Sequence, residues 1–270
     1  MVGTPNRAEI IVVTSGKGGV GKTNLALNVG IQVARRGVRT ILLDADFGHA
    51  NIDILLNIAP RADVVDLLDP ARRLEELLTE APDGLQFLCG ISGLRHERRI
   101  CESDPALYVS ALHPLSRACD LLLVDCGAGP IGATASFALA CDLLVLVTTP
   151  EPTAIADSYA TLKLLYQRGF CARAAVVVNM ARGQAEALDA ARRLQRVAEQ
   201  FLGLSLENLG YVPFDRHVVA AVRQRKPFAT RYPRCAASLR TEAIARRLDA
   251  ATSMTRRPAG LWGRVASLFF

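Results

Sequence analysis

Gly16, Gly21, Lys22 and Thr23 complete the pattern G-x-x-x-x-G-K-T. In this pattern small residues let consecutive backbone N–H groups converge on phosphate oxygens. Lys22 is then placed to reach the β- and γ-phosphates, and the Thr23 hydroxyl to ligate Mg²⁺. Far along the chain, Leu121-Leu122-Leu123-Val124 ends in Asp125, followed by Cys126-Gly127-Ala128-Gly129. An acid at the end of an apolar strand holds Mg²⁺ directly or through water, and glycines after it give a loop room to move with the γ-phosphate. The chemistry these residues point to is Mg²⁺-dependent binding and hydrolysis of a nucleoside triphosphate.

Such chemistry needs a strand and a helix on either side of the glycines, and both are legible. Ile10-Ile11-Val12-Val13 reads as a buried strand and Leu25 to Ala34 as a helix, so the loop sits at a helix N-terminus. Gly37 is placed to cap that helix, and residues 39–44 read as a second strand running into Asp44-Ala45-Asp46-Phe47-Gly48. In an open parallel sheet, ligands gather at the carboxyl ends of strands, so these carboxylates face the bound phosphates. Asp44 could instead hold the loop, and Asp53 could cap a short helix. Leu143–Thr149, Ala174–Met180 and Leu209–Asp215 predict further strands. Helices are expected over 105–118, from Pro150 onward and over roughly 234–251; Leu188, Ala191, Leu194, Ala198 and Phe201 recur at helical spacing as a core stripe. Between them, 64–68 and 74–78 suggest short helices, 85–89 a strand and 95–99 an exposed Arg-rich loop, while His96 and His113 lack ligand-like spacing. The alternation predicts a doubly wound α/β domain over residues 1–252, with a mostly parallel sheet flanked by helices, then a linker and tail over 253–270.

Lys17 is a cation that an ordinary phosphate loop does not need. With it, Lys17-Gly18-Gly19-Val20-Gly21-Lys22-Thr23 resembles the deviant Walker A motif, K-G-G-x-G-K-[ST], of the MinD/ParA ATPases, with Asn24 closing the nucleotide-binding stretch. The resemblance implies that Lys17 crosses a dimer interface to the partner's nucleotide. It also implies that Asp46, in a segment similar to switch I, positions or activates the attacking water near Mg²⁺. Asn179 is similar to the purine-reading asparagine, and Pro213 and Phe214 to the residues beside adenine. Thr148-Thr149-Pro150-Glu151-Pro152-Thr153-Ala154-Ile155 and the following Asp157, Tyr159 and Ala160 resemble the FlhG/FleN flagellar-number branch. The implied activity is slow ATP hydrolysis coupled to homodimerisation, with Lys17, Lys22 and Asp46 catalytic and Thr23, Asp46 and Asp125 around Mg²⁺. The implied role is control of flagellar number or placement, with flagellar proteins such as FlhF or a transcription regulator as partners. MinD-type septum positioning and ParA-type DNA or cargo partitioning are the alternatives. Many FlhG proteins carry an N-terminal glutamine-containing motif that stimulates FlhF; residues 1–9 contain none, so that stimulation is not expected here. Cys126 suggests the iron–sulfur reductases of the same superfamily, but Cys101 lacks the context of a second cluster ligand.

Composition bounds these readings. At 270 residues and 50% hydrophobic content the chain can bury one large core. Mean hydropathy is +0.22, yet Asp120, Asp125 and Asp142 cut the apolar runs below the ~18 residues a spanning helix needs. Residues 1–9 are too short and polar for a signal peptide, so the protein is expected to stay in the cytoplasm. Seven cysteines without a C-x-x-C pair point to buried reduced thiols rather than a structural zinc site. From Asp215 onward twelve basic side chains face three acids, a charge of +9 that leaves −3 for the first 214 residues. That asymmetry favours an anionic partner. Beyond Pro258-Ala259-Gly260, a helix would put Leu261, Trp262, Val265, Leu268 and Phe269 on one face, with Arg264 opposite. The expected partner is an anionic membrane surface, the inner face of the cell membrane; DNA, which does not require aromatic residues, is the less favoured partner.

Overall fold

Runs of Ile, Val and Leu without polar interruption suit strands covered on both faces, and the chain builds its sheet from them. The computed structural model describes residues 7–46, 51–69, 71–90, 105–129 and 132–254. The strands are β1 (Glu9–Ser15), β2 (Thr40–Ala45), β3 (Thr79–Glu80), β4 (Gln86–Leu88), β5 (Leu121–Ala128), β6 (Leu143–Thr148), β7 (Arg173–Ala181) and β8 (Leu206–Pro213). They lie in the order β3-β4-β2-β5-β1-β6-β7-β8. Only β3 runs antiparallel to its neighbour. The strand carrying the phosphate loop is thus central, with β5 and β6 on its two sides.

The described helices are α1 (Lys22–Ala34), α2 (Ile52–Leu56), α3 (Leu74–Leu77), α4 (Pro105–Ala118), α5 (Ala133–Ala140), α6 (Pro152–Gln167), α7 (Gln184–Leu202), α8 (Arg216–Arg223), α9 (Phe228–Arg231) and α10 (Ala236–Met254). Alternate residues of β1 feed opposite layers, as a pleated strand must. Ile10 and Val12 pack with Leu115, Phe137, Leu162 and Leu194 of α4 to α7. Ile11 and Val13 pack with Leu27, Ile31, Phe228 and Ile244 of α1, α9 and α10. Two buried amides tie the second layer together. Asn28 donates to the Asn24 carbonyl at 2.7 Å and accepts from the Ala229 N–H at 2.8 Å, and Gln32 donates to the Ser238 carbonyl at 3.3 Å. The loop helix is thereby latched to the C-terminal helices by groups that would be costly to bury unpaired.

Three expectations are corrected. Phe201 is 63% exposed. It has the direction of the α7 stripe whose Ala191, Leu194 and Ala198 are buried, but in the last turn its ring meets the Tyr159 ring edge-on, at 6.3 Å between centroids, and stays largely in solvent. Cys171 is exposed, unlike the buried Cys89, Cys119, Cys126 and Cys141, because it lies in the turn between α6 and β7 rather than in a strand. Asp53 is not a cap: Asn51 holds the cap position of α2 and Asp53 stands in its first turn. Among the described residues no helix is long and apolar enough to cross a membrane. His96, Cys101, the segment 95–99 and the tail residues Leu261, Trp262, Val265, Leu268 and Phe269 lie outside the described residues.

Candidate functional site

The loop from Gly16 to Gly21 turns the chain from β1 into α1. Gly19 and Gly21 adopt φ of 81° and 84°, a left-handed geometry that glycine enters without a Cβ clash. Gly16 is glycine for a different reason: a Cβ there would sit 2.1 Å from the Asp157 carbonyl carbon, so the loop is pressed against the backbone of α6. Just before the loop, hydrogen bonds tie the end of β1 to the end of β5, from the Thr14 hydroxyl to the Gly127 carbonyl at 3.0 Å and from the Gly129 N–H to the Ser15 carbonyl at 2.8 Å.

The two loop lysines diverge. Lys22 is only 8% exposed and its Nζ lies 3.9 Å from Asp46 Oδ2, whereas Lys17, with Gly18 and Gly19, faces solvent. Asp125, in the C-terminal half of β5, is fully buried, and neither carboxylate oxygen has a hydrogen-bond partner. Burial raises its pKa to about 6, with Lys22 pulling the other way. The Thr23 hydroxyl faces it as well, without reaching hydrogen-bond geometry. Asp46 completes the group, its Oδ1 lying 3.1 Å from where a Cβ on Gly127 would stand. A buried carboxylate with two orphaned oxygens, facing a hydroxyl and near a second carboxylate, is a hard-oxygen donor set that fits Mg²⁺.

Asp44 is paired in register with Asp125 across β2 and β5. It accepts from the N–H groups of Asp46 at 3.2 Å, Asn51 at 2.9 Å and Ile52 at 3.3 Å. It therefore holds both ends of the segment that carries Asp46 and caps α2 from the strand, the alternative its position allowed. Burial, then the charge of Asp125, raises its pKa to about 7 against these hydrogen bonds.

Both carboxyls keep their protons to higher pH folded than unfolded, so the folded state binds more protons above the ordinary value near 4. The stability they contribute is complete below that value and is lost as pH rises through about 6 for Asp125 and about 7 for Asp44. Melting temperature of the metal-free, nucleotide-free protein is therefore expected to fall from pH 5 to pH 8, and Asp125→Asn to flatten the fall. A wild-type profile that rises over that range would refute this electrostatic picture.

On the other side of the loop, the Asn179 side chain at the end of β7 donates to the Val20 carbonyl at 2.7 Å. One amide hydrogen is thus committed to the phosphate loop, and Oδ1 is left to accept from a base amino group. Asn24, also half-buried, closes the first turn of α1, its carbonyl accepting from Asn28. Pro213 and the exposed Phe214 sit at the end of β8, the Phe214 N–H donating to the Ala181 carbonyl at 2.9 Å. Met180 escapes sequence reasoning. It is exposed, has a φ of 57°, and its methyl lies 3.5 Å from where a Cβ on Gly21 would stand. Nothing in a methionine's type announces a left-handed backbone, which costs of order 1–3 kcal/mol and marks sites under functional constraint. Cys126 is buried with its thiol pKa raised well above the usual range, first by burial, which leaves it inert.

Comparison with known proteins finds relatives of this chain. Residues 11–228 match the CobQ/CobB/MinD/ParA nucleotide binding domain. The chain is 34% identical over 248 residues to the antiactivator FleN of Pseudomonas aeruginosa, covering 92% of this chain and 89% of that protein. It is 31% identical over 219 residues to the flagellum site-determining protein YlxH of Helicobacter pylori, covering 81% of this chain and 74% of that protein. Among solved structures, the septum site-determining protein MinD of Pyrococcus horikoshii, complexed with Mg-ADP, superposes with a TM-score of 0.76 at 20% identity, over 93% of this chain and 100% of that one.

Proposed function

The chain belongs to the CobQ/CobB/MinD/ParA family of nucleotide-binding domains, and from that premise we propose that it is an ATP-driven dimerising switch of the FleN type that regulates flagellar number or placement from the cytoplasmic face of the membrane. The observation that supports turnover, rather than binding alone, is the buried, unpartnered Asp125 carboxylate beside the Lys22–Asp46 pair at the mouth of the loop. In this reading the loop N–H groups and Lys22 draw in the triphosphate, and Asn179, Pro213 and Phe214 hold the adenine. Thr23 and Asp125 would hold Mg²⁺, which when bound would supply positive charge to the phosphate oxygens. Asp46 orients the attacking water. Lys17, turned outward, reaches the nucleotide of a second subunit. That assignment gives Lys17→Ala a distinctive phenotype: ATP binding near the wild-type level, with dimerisation and hydrolysis lost. Light scattering of the ATP-loaded variant checks it, and a normal dimer would exclude the role across the interface.

Membrane attachment rests on the tail. Burying Leu261, Trp262, Val265, Leu268 and Phe269 would release roughly 7–15 kcal/mol gross, most of it offset by about 1–2 kcal/mol per residue for ordering the backbone. One tail binds weakly. Two tails joined by an ATP dimer gain ~10²–10⁴ in avidity without any new contact. Arg256, Arg257 and Arg264 add attraction to anionic lipid that fades with salt. The experiment is complementation of a strain lacking the gene. The whole chain should restore flagellar number and co-sediment with anionic liposomes only with ATP. A chain truncated at Pro258 should bind ATP yet fail in both assays. Full activity of the truncated chain would remove the membrane reading, and its ATP-dependent retention on DNA would favour partitioning.

A further inference from the structure

Away from the phosphate loop, three side chains with metal-binding chemistry converge where the chain leaves β8 for α8 and where α10 begins. Asp215, His217 and Cys235 bring an oxygen, a nitrogen and a sulfur within 4.8 Å of one another. Asp215 Oδ1 lies 2.8 Å from His217 Nδ1. The carboxylate is 8% exposed and the imidazole 46% exposed, with Cys235 half-buried, so solvent reaches the group from the imidazole side. Asp215 also accepts from the His217 N–H at 2.9 Å and the Ala237 N–H at 3.2 Å, which holds α8 and α10 together. Burial pushes the Asp215 carboxyl up, but hydrogen bonds from His217, Ala237 and the Cys235 thiol outweigh it and keep the group ionised. The Cys235 sulfur lies 3.3 Å from Ser238 Oγ and accepts from the Ser238 N–H at 3.4 Å.

Carboxylate, imidazole and thiolate together suit Zn²⁺ among the common divalent ions. The donors are gathered before any ion binds, from positions up to 20 apart in the chain, so little ordering is needed. Charge also balances: the thiol proton leaves to solvent, and thiolate plus carboxylate cancel the ion's two charges, which matters beside Arg216, Arg231 and Arg234. We propose that Asp215, His217 and Cys235 form a Zn²⁺ site with water in the fourth position. Three protein ligands and one open position describe an exchangeable site rather than a closed structural one. Zinc there cross-links the start of α8 to the start of α10 and stiffens the Pro213–Phe214 turn immediately before Asp215. The site stands or falls independently of the nucleotide chemistry proposed above.

The test uses the full chain without nucleotide, titrated with Zn²⁺ by calorimetry and with Co²⁺ by absorbance. One Zn²⁺ per chain should bind with micromolar or tighter affinity and release a proton. Co²⁺ should give a thiolate-to-metal charge-transfer band, which an ion held by oxygens near Asp125 cannot give. Cys235→Ser should abolish the band and His217→Gln should weaken Zn²⁺ binding by at least about tenfold. Cys171→Ser, at the exposed cysteine elsewhere, should change neither. Both site variants keep the Asp215 carboxylate and its bond to Ala237, so folding is preserved and far-UV circular dichroism checks it. Zinc binding no tighter in the wild type than in Cys235→Ser, or a band that survives both variants, would overturn the site.

Discussion

Lys22→Ala is expected to lower ATP affinity by at least about 10²-fold, beyond detection by calorimetry at ordinary concentrations. Hydrogen bonds to charged groups contribute about 1.5–3 kcal/mol each, and Lys22 is placed for more than one phosphate oxygen. A second effect adds to the first. Lys22 is the cation that draws down Asp125 and stands 3.9 Å from Asp46. Without it, Asp46 and Asp125 face the phosphate site with no neighbouring cation to offset them, so attraction for a triphosphate is lost. Raising Mg²⁺ should recover only part of the loss. Affinity within tenfold of the wild type would show that Lys22 does not hold the phosphates.

Asp46→Ala separates binding from turnover. Its carboxylate is partly exposed, with side-chain accessibility of 26%, and removing it deletes no fold-holding hydrogen bond: the link to Asp44 comes from the Asp46 backbone N–H. Folding and ATP affinity should therefore persist. Hydrolysis should fall by about 10²–10⁴, the usual contribution of a group that handles the attacking water's proton. Dimer should accumulate with ATP, because in the proposed cycle hydrolysis is the step that releases it. Phosphate release measured beside light scattering decides the matter, and a wild-type rate in this variant would reassign Asp46 to a structural role.

The phosphate loop and the Asp125 strand are legible in the sequence because their chemistry is local: a strand, a tight turn and a helix N-terminus follow one another within about fifteen residues. The strands from β5 to β8 are equally legible, since a parallel sheet covered on both faces shows as unbroken apolar runs. What escapes is whatever depends on which surface lies opposite. Phe201 carries the right period, but periodicity says which way a side chain points and not whether anything stands there. Asp53 looks like a cap beside a helix start, yet Asp44 reaches those N–H groups from the neighbouring strand end. Asp215, His217 and Cys235 show no ligand spacing along the chain, because α8, α9 and the turn after them fold Cys235 back onto Asp215.

The central place of β1 also bears on how the chain is made. This strand leaves the ribosome well before its neighbours β5 and β6, which follow only after residues 121–128 and 143–148 have been synthesised. At about 5–20 residues per second, β1 waits roughly 7–25 s with its apolar edges unpaired. Nucleotide cannot help during that interval, because Asp125 is not yet in place. Closing loops of more than a hundred residues before the first reward also makes folding slow. The segment Ile10-Ile11-Val12-Val13 is therefore the stretch that a nascent-chain chaperone would shield, and the arrangement that puts the phosphate loop at the heart of the sheet keeps its strand unpaired until β5 and β6 are made.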